Sequence, residues 1–219
     1  EKLSPKEIIA VSSQIGASKI ALELGYEELK KNYYNFGFTK PISINFPSSA
    51  FGYMNIKESV NDKELASLGY GYGITISPFQ IASAYSVFAN EGILKDFKLL
   101  KNQEVTSKQI ISSDTANHIL DALRMVVKDG TGKAANINGF SAGGKTGTVH
   151  QIKRGSGYAE DSYRASFIGI APLNTKSLTI FVSIDEPGLN SYSGGTVAAP
   201  VFAKVAESSL NYLGYFQDE

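Results

Sequence analysis

Gly143-Gly144-Lys145-Thr146-Gly147-Thr148-Val149 is the stretch whose reading decides the fold. Two glycines approach the lysine, and one sits inside the run. Thr148 and Val149 are β-branched, which favours a strand. The stretch reads as an edge strand whose backbone lies close to a ligand, because glycine puts no Cβ in the way. Lys145 supplies a positive charge, and Thr146 and Thr148 supply hydroxyls beside it. That set suits an anionic group such as a carboxylate.

Two chemistries compete for these residues. Read from Gly139, the run Gly-Phe-Ser-Ala-Gly-Gly-Lys-Thr satisfies the phosphate-loop pattern G-x-x-x-x-G-K-[ST] in full. The apolar run from Leu178 to Ile184, ending in Asp185-Glu186, resembles the magnesium-binding strand of nucleotide hydrolases. Read instead as Lys-Thr-Gly-Thr on a strand, the stretch is similar to the third motif of the penicillin-interacting enzymes. A glycine-rich turn with no chemistry is the bland alternative, and the stretch alone leaves all three open.

Context weighs against the phosphate loop. That loop needs a buried strand before it and a helix starting at its Lys-Thr. Ala134-Ala135-Asn136-Ile137-Asn138 is too polar for a buried parallel strand. Gly147-Thr148-Val149-His150-Gln151-Ile152 begins with a poor helix former and continues β-branched, so it reads as a strand running outward.

The chain has 219 residues, enough for one large domain or two small ones with a substantial core. Apolar residues make up 42% and charged residues 19%, which is ordinary for a folded protein. Lys+Arg and Asp+Glu are both 21, so nothing points to nucleic acid or to a polybasic membrane surface. The absence of cysteine excludes disulfides and thiolate chemistry. No apolar run approaches a membrane span, and no signal peptide is present. The start at Glu1-Lys2-Leu3, without methionine, suggests a cleaved or excised piece.

Along the chain, Ser4-Pro5-Lys6-Glu7 has the form of a helix start. Ser13 is a candidate cap for a helix from Ile15 to Leu24, closed by Gly25, with Ile20, Ala21 and Leu24 as its buried face. A second helix is expected from Tyr26 to Phe36. Phe38 to Asn61 reads as a long irregular surface excursion. Leu68 to Gly73 alternates glycine with tyrosine and reads as a buried tight passage. Ser77-Pro78-Phe79-Gln80 is a second capping-box start. Lys95 to Gln109 reads as a solvated hairpin. Ser113-Asp114 opens a helix ended by Gly130, with His118 packed or on the solvent side. Gln151 to Arg164 reads as a polar hairpin connection, followed by strands over Ala165–Ala171 and Leu178–Ile184. Pro200 opens the last helix, with Phe202, Val205, Ala206, Leu210 and Leu213 as apolar positions. Strands in direct succession fit antiparallel hairpins. A parallel nucleotide-binding sheet would need helices between them.

Several segments together resemble one family. They are Ser12-Ser13-Gln14-Ile15-Gly16, Gly69-Tyr-Gly-Tyr-Gly73 leading into Ser77-Pro78-Phe79-Gln80, Gly130-Thr131-Gly132, Gly144-Lys-Thr-Gly-Thr148, and Tyr192-Ser193-Gly194-Gly195 before Ala199-Pro200-Val201-Phe202. In this order they look like the transpeptidase domain of class B penicillin-binding proteins, over nearly the full chain. The closest likeness is to the division-specific enzymes. The resemblance implies an α+β fold, an antiparallel sheet of five strands with helices on both faces. It implies a serine acyl transfer in which the nucleophile attacks a D-Ala-D-Ala bond of a peptidoglycan stem peptide, and which β-lactam antibiotics intercept. It implies no metal and no cofactor, and a place on the periplasmic face of the inner membrane among cell-division proteins.

The resemblance assigns roles residue by residue. Lys145 matches the lysine that fixes the cleft's electrostatics and supports proton transfer. Thr146, Gly147 and Thr148 match the run that binds the substrate or antibiotic carboxylate. The backbone N–H of Thr148 matches an oxyanion-hole donor. Ser12 matches the proton-relay serine of the second motif. Gln14 stands where the family usually has asparagine, which keeps the amide but adds a methylene and alters its reach. No serine in the chain is followed three residues later by lysine, so the family's Ser-x-x-Lys nucleophile would lie before Glu1. Residues 1–219 are thus expected to be the C-terminal portion of the domain, lacking its N-terminal part and inactive alone. A non-catalytic scaffold on the same fold is the alternative.

Overall fold

In this computed structural model, residues 2–40, 42, 52–54, 57–153, 157–174, 176–188 and 191–216 are described. Contacts divide the chain into two units. One comprises Glu1–Ile8 with Ser12–His118, and the other Ile9–Val11 with Ile119–Glu219.

Caps written in the sequence set the helices of the first unit. In α1 (Pro5–Ala10), Ser4 N–H donates to Glu7 Oε2 at 2.7 Å and Ser4 Oγ accepts from Glu7 N–H at 3.4 Å, the reciprocal box. Ser13 caps α2 (Gln14–Leu24) by accepting from Gly16 N–H at 3.1 Å, and Gly25 closes it at φ 82°. The expected buried face of α2 survives only at Ala21. Ile20 and Leu24 are exposed, as are Ile15 and Leu22. After α3 (Tyr26–Asn35), much of the expected excursion falls outside the described residues, and a helix not foreseen follows, α4 (Asp62–Gly69). Asn61 and Glu64 form its capping box. Gly69 abuts Ala21 and Ala17 of α2 so closely that a Cβ would collide at 2.5 and 2.9 Å. The passage is tight there as expected, but Tyr70 and Tyr72 are exposed rather than buried, with their rings edge to face at 5.4 Å.

Helix α5 (Pro78–Ala89) starts at the Ser77–Gln80 box, and Gln80 does more than cap. Its buried amide accepts from the N–H groups of Gly52 and Ser77 and donates to the carbonyls of Gly37, Phe38 and Lys40. The hairpin is present as β1 (Ile93–Lys95) paired antiparallel with β2 (Ser107–Gln109). Helix α6 (Ser113–Lys128) opens at Ser113 as expected, and Ser112 caps it by accepting from Thr115 N–H at 3.1 Å. His118 lies on the solvent side, 3.4 Å from Asp114.

The second unit holds an antiparallel sheet of β3 (Gly143–Lys153), β4 (Gly157–Ala171) and β5 (Leu178–Asp185), in that order. The polar stretch expected as a connection is thus mostly strand: β3 and β4 run on past His150 and Tyr163 as the arms of a long hairpin. Among the described residues the sheet has three strands, where the resemblance implied five. Helices cover both faces. Gly143 abuts the α6 backbone at Leu123 and Arg124, so a Cβ there would sit 3.1 Å from each. Gly144, on the opposite face, abuts Phe167. Beside it Gly169, its partner across the ladder, meets the ring of Phe202 from α7 (Ala199–Tyr212). Phe167 and Phe202, rings 5.0 Å apart, anchor a core with Ala171, Ala206 and Leu210. Val205 and Leu213, expected among the packed positions of α7, are exposed. Among the described residues no helix is long and apolar enough to cross a membrane.

Candidate active site

Lys145, Thr146, Gly147 and Thr148 lie in the middle of β3, opposite Ile168, Phe167, Ser166 and Ala165 of β4. That placement removes the phosphate-loop reading. The residues before β3 form a single 3₁₀ turn (Lys133–Ala135) and not a strand, and no helix begins at Lys145. The acids of the supposed magnesium strand are engaged elsewhere: Asp185 pairs with Arg164, and Glu186 accepts from Ser162 Oγ at 3.1 Å. Among the described residues no cluster of histidines and carboxylates is placed to hold a metal.

β3 is an edge strand of this sheet, so every second N–H along it points away from β4. Lys145 Nζ donates to the Thr146 carbonyl at 3.0 Å and reaches Thr146 Oγ1 at 3.5 Å. Burial disfavours the ammonium and pushes the Lys145 pKa down to about 8. The Thr146 hydroxyl is 2.9 Å from that of Thr131, in the loop after α6. The Thr148 hydroxyl accepts from Gly194 N–H at 3.0 Å. A hydroxyl that accepts from a backbone N–H keeps its own proton to give. The Thr148 hydroxyl therefore presents a donor, and the Thr146 hydroxyl, beside the Lys145 cation, presents one whenever Thr131 donates to it; an acceptor-only anion requires such donors.

The glycine pair makes the contact possible. A Cβ on Gly194 would sit 2.6 Å from the Gly147 carbonyl, and one on Gly195 would run into the Thr131 carbonyl. Ser193 caps the π-helical turn Gly194–Ala198 that follows, accepting from Thr196 N–H at 3.2 Å. Just before it, Tyr192 stacks on Tyr163 at 4.1 Å, and Tyr163 lies against His150 at 4.3 Å.

The sequence pattern of the penicillin binding protein transpeptidase domain matches residues 1–207. The chain belongs to that family. It is 36% identical over 208 residues to the probable peptidoglycan D,D-transpeptidase PbpC of Pseudomonas aeruginosa, covering 94% of this chain and 37% of the relative. It is 35% identical to the stage V sporulation protein D of Bacillus subtilis, covering 95% of this chain and 34% of that one. The apo transpeptidase domain of Burkholderia pseudomallei penicillin-binding protein 3 superposes with a TM-score of 0.88 at 35% identity, over 99% of this chain and 66% of that one. The chain thus spans little more than a third of these two curated relatives.

Within this transpeptidase domain the expected site residues fall into two groups. Lys145, Thr146, Gly147 and Thr148 belong to the second unit, and Ser12 and Gln14 to the first. Ser12 sits in the turn between α1 and α2 at φ 58°, a left-handed conformation uncommon for serine. Gln14 is the exposed first residue of α2. Thr131 and Gly194, which touch the threonine hydroxyls of β3, had no individual role assigned from the sequence. They were visible only as members of Gly130-Thr131-Gly132 and Tyr192-Ser193-Gly194-Gly195.

Proposed function

We propose that this chain is the carboxylate-binding and oxyanion-stabilising part of a peptidoglycan D,D-transpeptidase. The observation that carries the reading is the Lys-Thr-Gly-Thr edge strand, with both threonine hydroxyls braced by neighbouring loops and a partly buried lysine beside Thr146. In the proposed reaction a serine oxygen attacks the carbonyl of the D-Ala-D-Ala bond. The oxyanion that forms is met by the N–H of Thr148. The C–N bond breaks, the nitrogen takes a proton, and D-alanine leaves. The acyl group on serine then passes to an amine of a neighbouring stem peptide.

Lys145, Thr146 and the Thr148 hydroxyl hold the terminal carboxylate, with Gly147 letting the backbone approach. Ser12 relays protons, and the Gln14 amide binds the substrate's peptide. The nucleophile is a Ser-x-x-Lys serine in the segment that precedes Glu1 in the whole protein. A β-lactam would acylate the same serine. We place the protein at the extracytoplasmic face of the membrane, anchored there and working with division proteins.

Labelling with a fluorescent penicillin tests this. The full-length protein forms a covalent adduct that survives denaturation, and residues 1–219 alone form none. A full-length protein that takes no label, or an isolated chain that does, contradicts the reading.

A further inference from the structure

The hydroxyl of Thr131 is 2.9 Å from that of Thr146, and either oxygen is able to donate. Thr131 itself has little freedom. Its N–H reaches the Ala10 carbonyl at 3.4 Å, the next N–H bonds Val126 O at 2.9 Å, and Gly195 closes over its carbonyl. Its β-branched side chain is stiff at χ1. The environment of Thr146 Oγ1 then fixes the proton order. A hydroxyl has one proton and two lone pairs, and an ammonium only donates. Lys145 therefore takes one lone pair of Thr146 Oγ1. If Thr131 donates to the other, the Thr146 proton is left for a third partner. If Thr146 donates to Thr131, it has nothing for an anion. A carboxylate accepts only, so its arrival selects the first order.

We propose that Thr131 is a positioning residue whose hydroxyl serves as donor to Thr146 Oγ1 when a carboxylate enters, aiming the Thr146 proton at that ligand. Thr131 touches no reacting atom. The Thr148 hydroxyl needs no such selection, because its partner is the N–H of Gly194, which only donates. The inference rests on the transpeptidase reading of β3.

The test uses the full-length protein and two probes, a penicillin with its free carboxylate and the methyl ester of the same compound. Thr131 is exposed, and valine keeps its shape without the hydroxyl. Thr131→Val slows acylation by the acid about fivefold, the scale of one hydrogen bond, and acylation by the ester less than about twofold. Thr131→Ser restores the acid rate to within about twofold of wild type. Equal losses for acid and ester would assign Thr131 a merely structural role and overturn the proposal, as would an unchanged acid rate in Thr131→Val. Wild-type protein that forms no adduct with the acid would overturn both this proposal and the function on which it rests.

Discussion

Lys145 supplies the positive charge beside Thr146 in β3, and partial burial decides when that charge is present. Its pKa falls from 10.5 to about 8 in the folded chain. The unfolded chain holds the proton to higher pH, so the cost of the buried ammonium is present in full below about pH 8. It is relieved as pH rises toward 10.5, and stability rises over that window. Lys145→Met removes the cost. Urea unfolding is therefore expected to show the variant gaining most over wild type at neutral pH, and the gap narrowing by pH 9.5; a gap independent of pH contradicts the assignment. Gln80 is the other residue on which much rests, since five backbone groups bond its amide. Gln80→Leu leaves them unpaired and is expected to cost about 3 kcal/mol in the same assay. A loss below about 0.5 kcal/mol would mean that water replaces the side chain. Lys145, Thr146 and Thr148 were legible in the sequence because their chemistry is adjacent along one strand. Thr131 and Gly194 were not, because their partners are 15 and 46 residues away, and only the folded loops bring the hydroxyls and N–H groups together.

Helices announced by local chemistry were legible at the scale of the element. The Ser4–Glu7 and Ser77–Gln80 boxes close as their spacing implies, because capping needs only neighbours within one turn. The same signal, Asn61 followed by Glu64, opens α4, but the polar residues around it mask it in the sequence. Polarity also hid the outer halves of β3 and β4, which read as a loop: the ladder between them is made by backbone groups and needs no apolar run. The buried face of α2 failed for the opposite reason, because apolar periodicity names a face that packs only where a neighbour is present to cover it. For α7 the periodicity held at Phe202, Ala206 and Leu210. Phe202→Ala removes the ring against Phe167 and Gly169, and is expected to cost about 3–5 kcal/mol of stability by chemical denaturation. A cost near 1 kcal/mol would mean that the neighbouring side chains collapse into the space.

Taken as a whole, the chain leaves Val11, Ile15, Ile20, Leu22 and Leu24 exposed around α2, with Ile15 at 73%. Exposed apolar side chains bind hydrophobic dyes. Residues 1–219 alone are expected to enhance dye fluorescence under native conditions, and an absence of enhancement would mean that the surface is covered. The fold class was legible at this scale because strand followed strand without a helix between them. The division into two units was not, since their boundaries run within α1 and α6, and no linker composition marks them. The central claim is that β3 supplies the oxyanion donor and the anion-holding hydroxyls of a D,D-transpeptidase. Penicillin labelling of the full-length protein carrying Thr148→Pro or Thr148→Ser tests it most directly. Proline deletes the N–H assigned to the oxyanion, whereas serine keeps that N–H and a hydroxyl. Labelling is expected to fall about 100-fold or more in the proline variant and to persist in the serine variant, with the thermal transition of each showing that it is folded. Undiminished labelling in a folded Thr148→Pro protein would contradict the claim and remove this strand from the oxyanion site.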